Sequence, residues 1–180
     1  YTYKNYNTSA VQPPLAENSQ ELFEIGENDN ISILSLIRKD SIIEFITHIT
    51  KNSTNLNSII YPSIYETNPF LIGKNVTLIQ YAAFYGSIQI FRYLMMNSVE
   101  LDSSLWHYAI HGRNPELIHL LESNEIQPEK KDNQFLIEEC IRCHYSDLAN
   151  YLINLNPEFK KESFYRFAYT YYNFEFFLHE

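Results

Sequence analysis

Two cysteines and a histidine stand close together in the sequence, at Cys140, Cys143 and His144. The C-x-x-C spacing can hold zinc or form a redox disulfide, and C-x-x-C-H can attach haem. A zinc site needs two more ligands, however, and the chain has no further cysteine. Because Cys140 falls at a small, buried position of a predicted helix, we expect its thiol to pack as a small apolar group. A metal-binding or redox protein that uses Cys140, Cys143 and His144 is the alternative hypothesis.

Two histidines, His107 and His111, are four residues apart and therefore share one face of a predicted helix. Histidines in that arrangement can hold a metal ion. No carboxylate or third histidine stands at a spacing that would complete such a site. The sequence therefore predicts no metal ion and no cofactor.

The chain carries no motif of a catalytic site. G-x-S-x-G, G-x-x-x-x-G-K-[ST] and H-E-x-x-H are all missing from the sequence. The 13 Lys and Arg residues against 22 Asp and Glu residues give a net charge of -9, which disfavours binding to a phosphate backbone. No apolar run approaches the roughly 18 residues of a membrane span. We therefore expect a non-enzymatic protein that does not bind nucleic acid and does not insert into a membrane.

The pattern of residue types divides the 180 residues into an arm and one domain. Residues 1–18 are polar and contain two adjacent prolines, as linkers do. Residues 19–180 show helical apolar patterns except at 50–76, where Asn, Ser, Thr and Pro predict an irregular insertion. The chain begins with tyrosine and shows no signal peptide. We therefore expect part of a longer, cytoplasmic protein.

A degenerate internal repeat begins at Thr77 and is clearest in 77–153. A shift of 27 residues places Thr77 on Ser104 and Ala82 on Ala109. Other copies are weaker, and their period is irregular. Each copy has one characteristic residue in the middle of its first helix, called here the slot residue. The slot residues are Leu36, Ala82, Ala109, Cys140 and Ala168.

Each copy predicts a pair of short helices. A Ser or Thr caps the first helix, the slot residue lets two helices approach closely, and a turn leads to a second capped helix. The second cap is clearest at Asn114-Pro115-Glu116, where Asn caps, Pro takes the first helical position and Glu favours the positive helix end. Neither helix is long enough to be stable alone in water, so neighbouring pairs must stack.

These residues resemble the ankyrin repeat, whose signature is T-P-L-H-x-A-A followed by Gly and an apolar helix. The strings A-A-F-Y-G-S-I-Q-I-F and S-L-W-H-Y-A-I-H-G-R-N-P-E-L are similar to degenerate ankyrin-repeat proteins of parasitic protists. The resemblance implies an all-α solenoid of about four to five stacked helix pairs. It also implies that His107 hydrogen-bonds between repeats. The residues with implied structural roles are Thr77, Ala82, Ala83, Gly86, Ser104, His107, Ala109, Cys140 and Ala168.

Three departures from the ankyrin pattern modify this expectation. The spacings of 27 and 28 residues are shorter than the usual period of about 33, so the β-hairpins should be short or absent. Arg113 stands where a turn glycine is expected, and we expect the neighbouring Gly112 to supply the left-handed turn. The chain ends inside the last predicted helix, so the last repeat should be truncated.

Aromatic residues are abundant, with 15 Tyr and 12 Phe. Several fall on outward positions of the first helices, the face that lines the concave groove in ankyrin proteins. Since Tyr and Arg are enriched at binding hot spots, the resemblance implies a scaffold or adaptor that binds a protein partner through this face and the loop tips. The same side chains could instead cover neighbouring helices. We expect a monomer or weak self-association, and a self-associating structural protein is a further alternative. The candidate partner-binding residues are Tyr81, Tyr85, Tyr108, His111, Arg142 and Tyr171.

Overall fold

The computed structural model describes residues 27–60 and 66–177. The predicted arm at 1–18 and the last residues of the chain lie outside these ranges. The described residues are mostly helical, as the sequence predicts, and no helix among them is long and apolar enough to cross a bilayer. The elements are α1 (Glu27–Arg38), α2 (Ile42–Lys51), β1 (Ile59–Ile60), β2 (Val76–Thr77), α3 (Leu78–Tyr85), α4 (Ile88–Met96), α5 (Leu105–Gly112), α6 (Pro115–Ser123), a 3-10 turn (Lys130–Asp132), α7 (Asn133–Arg142), α8 (Ser146–Leu155), α9 (Lys161–Thr170) and a second 3-10 turn (Phe174–Phe177).

Consecutive helices pack as pairs, α1 with α2, α3 with α4, α5 with α6 and α7 with α8. The first helices of the pairs also contact one another in order, from α1 through α3, α5 and α7 to α9. The apolar core follows this row, and its largest fully buried side chain is Trp106 on α5. Helices this short are stabilised mainly by tertiary packing, so the row of contacts holds the fold together.

The same backbone turn ends the first helix of each pair. A residue with a left-handed backbone stands four positions after each slot residue. In four of these turns the next amide donates a hydrogen bond to the slot carbonyl, as Ser87 N does to Ala82 O at 2.9 Å, which is the Schellman pattern. The prediction that Gly112 supplies a left-handed turn is wrong, because Arg113 has the positive φ of 47° and Gly112 is the last residue of α5. The left-handed residues are Asp40, Gly86, Arg113, His144 and Tyr172.

The predicted helix caps are partly formed. Thr77 makes a capping box with Gln80: Thr77 Oγ1 accepts from Gln80 N at 3.3 Å, and Thr77 N donates to Gln80 Oε1 at 2.9 Å. Asn114 caps α6 as predicted, and its Oδ1 accepts from Glu116 N at 3.0 Å. Ser104 makes no side-chain cap. Its hydroxyl instead accepts from Gln80 Nε2 at 2.9 Å, so this serine connects two successive helix pairs.

Asp40 links the first two helix pairs. Its carboxylate accepts hydrogen bonds from Gln89 N and Ile90 N, both at 3.0 Å, at the start of α4. Ser87 Oγ, beside them, donates to Ile37 O at 2.6 Å. Amides at a helix start lack partners within the helix, and the helix dipole favours a negative charge there. The turn of one pair therefore caps the second helix of the next.

Replacing Asp40 with alanine is expected to lower the free energy of unfolding by about 2 kcal/mol. The change removes the cap of α4 and puts alanine at a φ of 51°, where Asp and Asn are tolerated better. Urea unfolding followed by fluorescence of Trp106, the only tryptophan, measures the loss. Asp40→Asn is the control, since it keeps an acceptor oxygen; an equal loss in both variants would contradict the capping role.

A two-stranded antiparallel sheet closes the predicted insertion at 50–76. It pairs Ile59 with Thr77 and Ile60 with Val76. Between the strands the structure describes residues 66–75, called here the covering segment. Leu71 anchors this segment, with 2% of its surface exposed, and Asn68 Oδ1 accepts from Phe70 N at 2.9 Å in a local turn. The chain therefore enters and leaves the stretch between the two strands at neighbouring positions, which the paired strands hold together.

Candidate functional site

The covering segment lies on the face of the first helices that we expected to bind a partner. Glu66 is buried, and its Oε2 lies 3.0 Å from Arg38 Nη2 and accepts from the Tyr81 hydroxyl at 3.3 Å. Arg38 Nε donates to the same hydroxyl oxygen at 2.6 Å. Burial raises the pKa of Tyr81, so its phenol stays neutral and can donate. The chain's own residues therefore occupy this part of the face.

Phe70 covers the next part of the same face. Its ring centroid lies 5.7 Å from that of Phe84, 5.5 Å from that of Tyr108 and 4.2 Å from that of His111. The expectation that Tyr81 and Tyr108 point outward is wrong, because only 2% and 9% of their surfaces are exposed. Each of these tyrosines directly precedes a slot residue. This position faces the covering segment and neighbouring helices, which exclude water from it.

Three of the other candidate partner-binding residues retain more exposed surface, whereas the His111 side chain is only 11% exposed and does not point outward as expected. Tyr85 is half-buried beside Tyr81, with ring centroids 4.8 Å apart. Tyr171 is half-buried and donates its hydroxyl to Glu138 Oε1 at 2.8 Å. The Arg142 side chain is 41% exposed. Tyr85, Arg142 and Tyr171 can therefore still contact another molecule.

A groove runs beside the covering segment, where α5 and α7 meet it. Two adjoining cavities of about 350 and 380 Å³ share Phe70, Lys74 and Phe135 in their walls. Phe135 is 47% exposed. Lys74 Nζ lies 3.4 Å from the centre of the Phe70 ring, and Lys74 makes no ion pair with any of the described residues. These two cavities together are called the α5–α7 groove.

A polar cluster lies behind one end of this groove, where Glu139 and Arg142 line the cavity wall. Glu139 Oε1 is 2.9 Å from His111 Nε2 on α5. Arg142 Nε donates to Glu139 Oε2 at 3.0 Å, and Arg142 Nη2 also contacts Glu139 Oε1. Cys143 Sγ is 3.5 Å from His111 Nδ1. Two neighbouring helices thus bring an imidazole, a carboxylate, a guanidinium and a thiol together, and these four residues are called the polar cluster.

The charge state of the polar cluster follows from its surroundings. Burial by itself would raise the pKa of Glu139, but His111 and Arg142 beside it hold that pKa below its usual range. Burial raises the pKa of Cys143 to about 11, so this thiol keeps its proton at neutral pH. The Phe84 ring stacks on His111 with centroids 4.8 Å apart. With Phe70 on the same imidazole, His111 and Glu139 are shielded from water, and the charge of Glu139 therefore interacts strongly with its neighbours.

The C-x-x-C-H residues do not form a ligand group together among the described residues. Cys140 is fully buried on α7, and burial raises its pKa, opposite to the lowered pKa of a redox thiol. His144 is exposed in the turn that follows. The Cys143 sulfur lies beside the His111 ring of the neighbouring helix rather than beside Cys140 or His144 in a shared site. No carboxylate stands at a supporting spacing from the two histidines in the sequence, but in the folded chain Glu139 reaches His111 from the neighbouring helix.

The residues with implied repeat roles lie between successive helix pairs. His107 Nε2 is 3.5 Å from Asp132 Oδ2, and its ring packs against Phe135 with centroids 5.3 Å apart. Both partners belong to the next pair, so His107 contacts it through a carboxylate and an aromatic ring. The small residues of the first helices have no exposed surface, which lets these helices approach closely. They are Ala82, Ala83, Ala109, Cys140 and Ala168.

Phe70, Lys74 and Glu139 were not among the residues that the sequence pattern predicted for a site. Glu139 directly precedes a slot residue, as Tyr81 and Tyr108 do, and that position is buried in all three cases. The register of the repeats therefore could have marked Glu139 as a buried carboxylate that needs a partner. No periodic signal identifies Phe70 or Lys74, because both lie in the insertion.

No family model, curated protein or solved structure matches this chain. Its function must therefore be inferred from its own residues. The α5–α7 groove and the polar cluster are the places where the described residues bring aromatic, charged and sulfur groups together.

Proposed function

We propose that this chain is a non-enzymatic protein-interaction module, a solenoid of stacked helix pairs that resembles ankyrin repeats. Two observations support the architecture. The same turn recurs four residues after each slot residue, and each first helix contacts the next in order. Stacked helix pairs present an extended surface to a partner. We assign partner binding to the α5–α7 groove on that surface.

The observation that carries this assignment is the Lys74 ammonium, which lies against the Phe70 ring and makes no ion pair with any of the described residues. Phe70 lies beneath it, and Phe135 shares both cavities with it. Partial burial lowers the pKa of Lys74, because desolvation disfavours the charged form. The other cation of the groove, Arg142, is already paired with Glu139. An incoming carboxylate would therefore find its partner at Lys74.

The occupant that we propose is an extended segment of a partner protein that carries Asp or Glu next to an apolar side chain. The carboxylate would pair with Lys74, and the apolar side chain would pack on Phe70 and Phe135. Aromatic contacts supply most of such binding energy, while charge sets orientation. The net charge of -9 disfavours a strongly acidic partner, so we expect a single carboxylate within a basic or mixed surface.

Lys74→Glu and Phe135→Ala are each expected to weaken the binding of such peptides at least about tenfold, a change of about 1.4 kcal/mol. Lys74→Glu places a negative charge beside the carboxylate of the peptide, and Phe135→Ala removes the exposed aromatic ring. Peptides would be selected from a random display library on the full chain, and their affinities measured by fluorescence polarisation. We expect the selected peptides to share an acidic residue beside an apolar one.

Two matched variants control this experiment. Lys39→Glu makes the same charge change at an exposed lysine between α1 and α2, and Tyr169→Ala removes an exposed ring of α9. Both should bind the selected peptides as the unchanged chain does. Equal binding by Lys74→Glu and Phe135→Ala, with folding intact by circular dichroism, would show that the groove is not the binding site.

A further inference from the structure

We propose that His111, Glu139 and Cys143 form a binding site for one divalent cation of the zinc class. They offer one imidazole nitrogen, one carboxylate oxygen and one sulfur, and these ligand atoms all lie within 4.8 Å of one another. Glu139 and Cys143 are four residues apart and so lie on one side of α7. His111 approaches from α5, the neighbouring first helix. The site goes beyond the proposed function, because a peptide groove needs no ion.

An unsatisfied nitrogen points to a ligand at this position. His111 Nε2 is shielded from solvent and has no hydrogen-bond partner among the described residues, although Glu139 Oε1 is only 2.9 Å away. The oxygen is close, but it is not in the direction that an N–H on this ring would need. A buried polar atom without a partner is costly. A cation bound to Nε2 and to Glu139 Oε1 would satisfy both atoms. Cys143 Sγ lies 3.5 Å from the other ring nitrogen, Nδ1, so the Cys143 side chain or the ring must rotate for the sulfur to reach the same ion.

The types of donor atom favour zinc over the common hard cations. Magnesium and calcium prefer oxygen ligands throughout, whereas zinc accepts nitrogen, sulfur and carboxylate oxygen together. Three protein ligands leave the fourth tetrahedral position free. The cavity of about 350 Å³ that Glu139 lines has room for a water molecule as the fourth ligand.

The neighbouring charges are compatible with such an ion. Arg142 contacts both oxygens of Glu139, but its side chain is 41% exposed. It can keep its bond to Oε2 while Oε1 binds the cation, since each carboxylate oxygen has two lone pairs. The Cys143 thiol must lose its proton to solvent as the sulfur–metal bond forms. Two anionic ligands then balance the two positive charges of the ion.

Zinc binding to the full chain, purified without a histidine tag, tests this proposal. Titration against a chromophoric chelator is expected to show one ion per chain. His111→Phe keeps a ring between Phe70 and Phe84 but removes both nitrogens, and Cys143→Ser removes the sulfur. Each variant is expected to bind zinc at least about 100-fold more weakly. Cobalt bound to the unchanged chain should show sulfur-to-metal charge-transfer absorption that is lost in Cys143→Ser.

Cys140→Ala and His144→Ala are the matched controls, because each removes a residue of the C-x-x-C-H motif without removing a proposed ligand. Both should bind zinc as the unchanged chain does. Loss of binding in these two variants, with binding kept in His111→Phe, would assign the ion to the motif and overturn the proposal. So would zinc binding that none of the four substitutions weakens, or no stoichiometric binding by the folded, unchanged chain.

Discussion

Replacing Arg142 with alanine is expected to lower the free energy of unfolding by about 3 kcal/mol. Glu139 has 4% of its surface exposed, and the Arg142 guanidinium contacts both of its oxygens. Without that guanidinium, a buried carboxylate keeps only the imidazole of His111 beside it. The desolvation penalty of the charge is then largely uncompensated. Urea unfolding followed by Trp106 fluorescence, with a chelator present to remove any bound cation, measures this loss.

A surface pair of the same chemistry provides the control. Arg92 and Glu116 form an ion pair whose side chains are 48% and 46% exposed. Arg92→Ala is therefore expected to cost less than about 1 kcal/mol. The double variant Arg142→Leu with Glu139→Leu should recover much of the loss, because it leaves no buried charge. Equal losses in Arg142→Ala and Arg92→Ala would contradict the explanation by burial.

Replacing Gly112 with alanine is expected to lower the free energy of unfolding by about 3 kcal/mol. A Cβ atom at Gly112 would lie 2.4 Å from Ala83 O and 2.9 Å from Gly86 N. Both are backbone atoms of the neighbouring helix and its turn, so no side-chain rotation can relieve the overlap. The α3 and α5 helices would have to separate, which would disturb the middle of the row. Thermal and urea unfolding of the variant measure the effect.

Arg113→Gly is the control for this prediction, at the adjacent residue. Arg113 has a φ of 47°, a conformation that costs a residue with a side chain about 1–2 kcal/mol. Glycine relieves that cost but loses more conformational freedom on folding, so stability should stay the same or rise slightly. If Gly112→Ala proved as stable as Arg113→Gly, the close approach of α3 and α5 would not depend on a missing side chain.

The amino-acid pattern by itself determined the local structure of this chain. The slot residues locate the first helices and their terminal turns, because helix periodicity, caps and turns depend on residues within a few positions of one another. Asn114 and Thr77 cap helices for this reason. Ser104 and Gly112 depart from the local expectation, and at both residues a contact with the α3 region explains the departure: Ser104 bonds to Gln80, and Gly112 lies against Ala83 and Gly86.

Only the tertiary structure decided which segments pack against each face of the helices. Periodicity shows that Tyr81, Tyr108 and Glu139 hold equivalent positions in their helices, but it says nothing of what lies opposite them. Their burial depends on an insertion without periodicity, whose course is set by contacts between residues far apart in the chain, such as Glu66 with Arg38. The α5–α7 groove and the polar cluster exist only where these distant segments meet. Such contacts leave no regular spacing in a sequence, because their geometry depends on the folded chain as a whole.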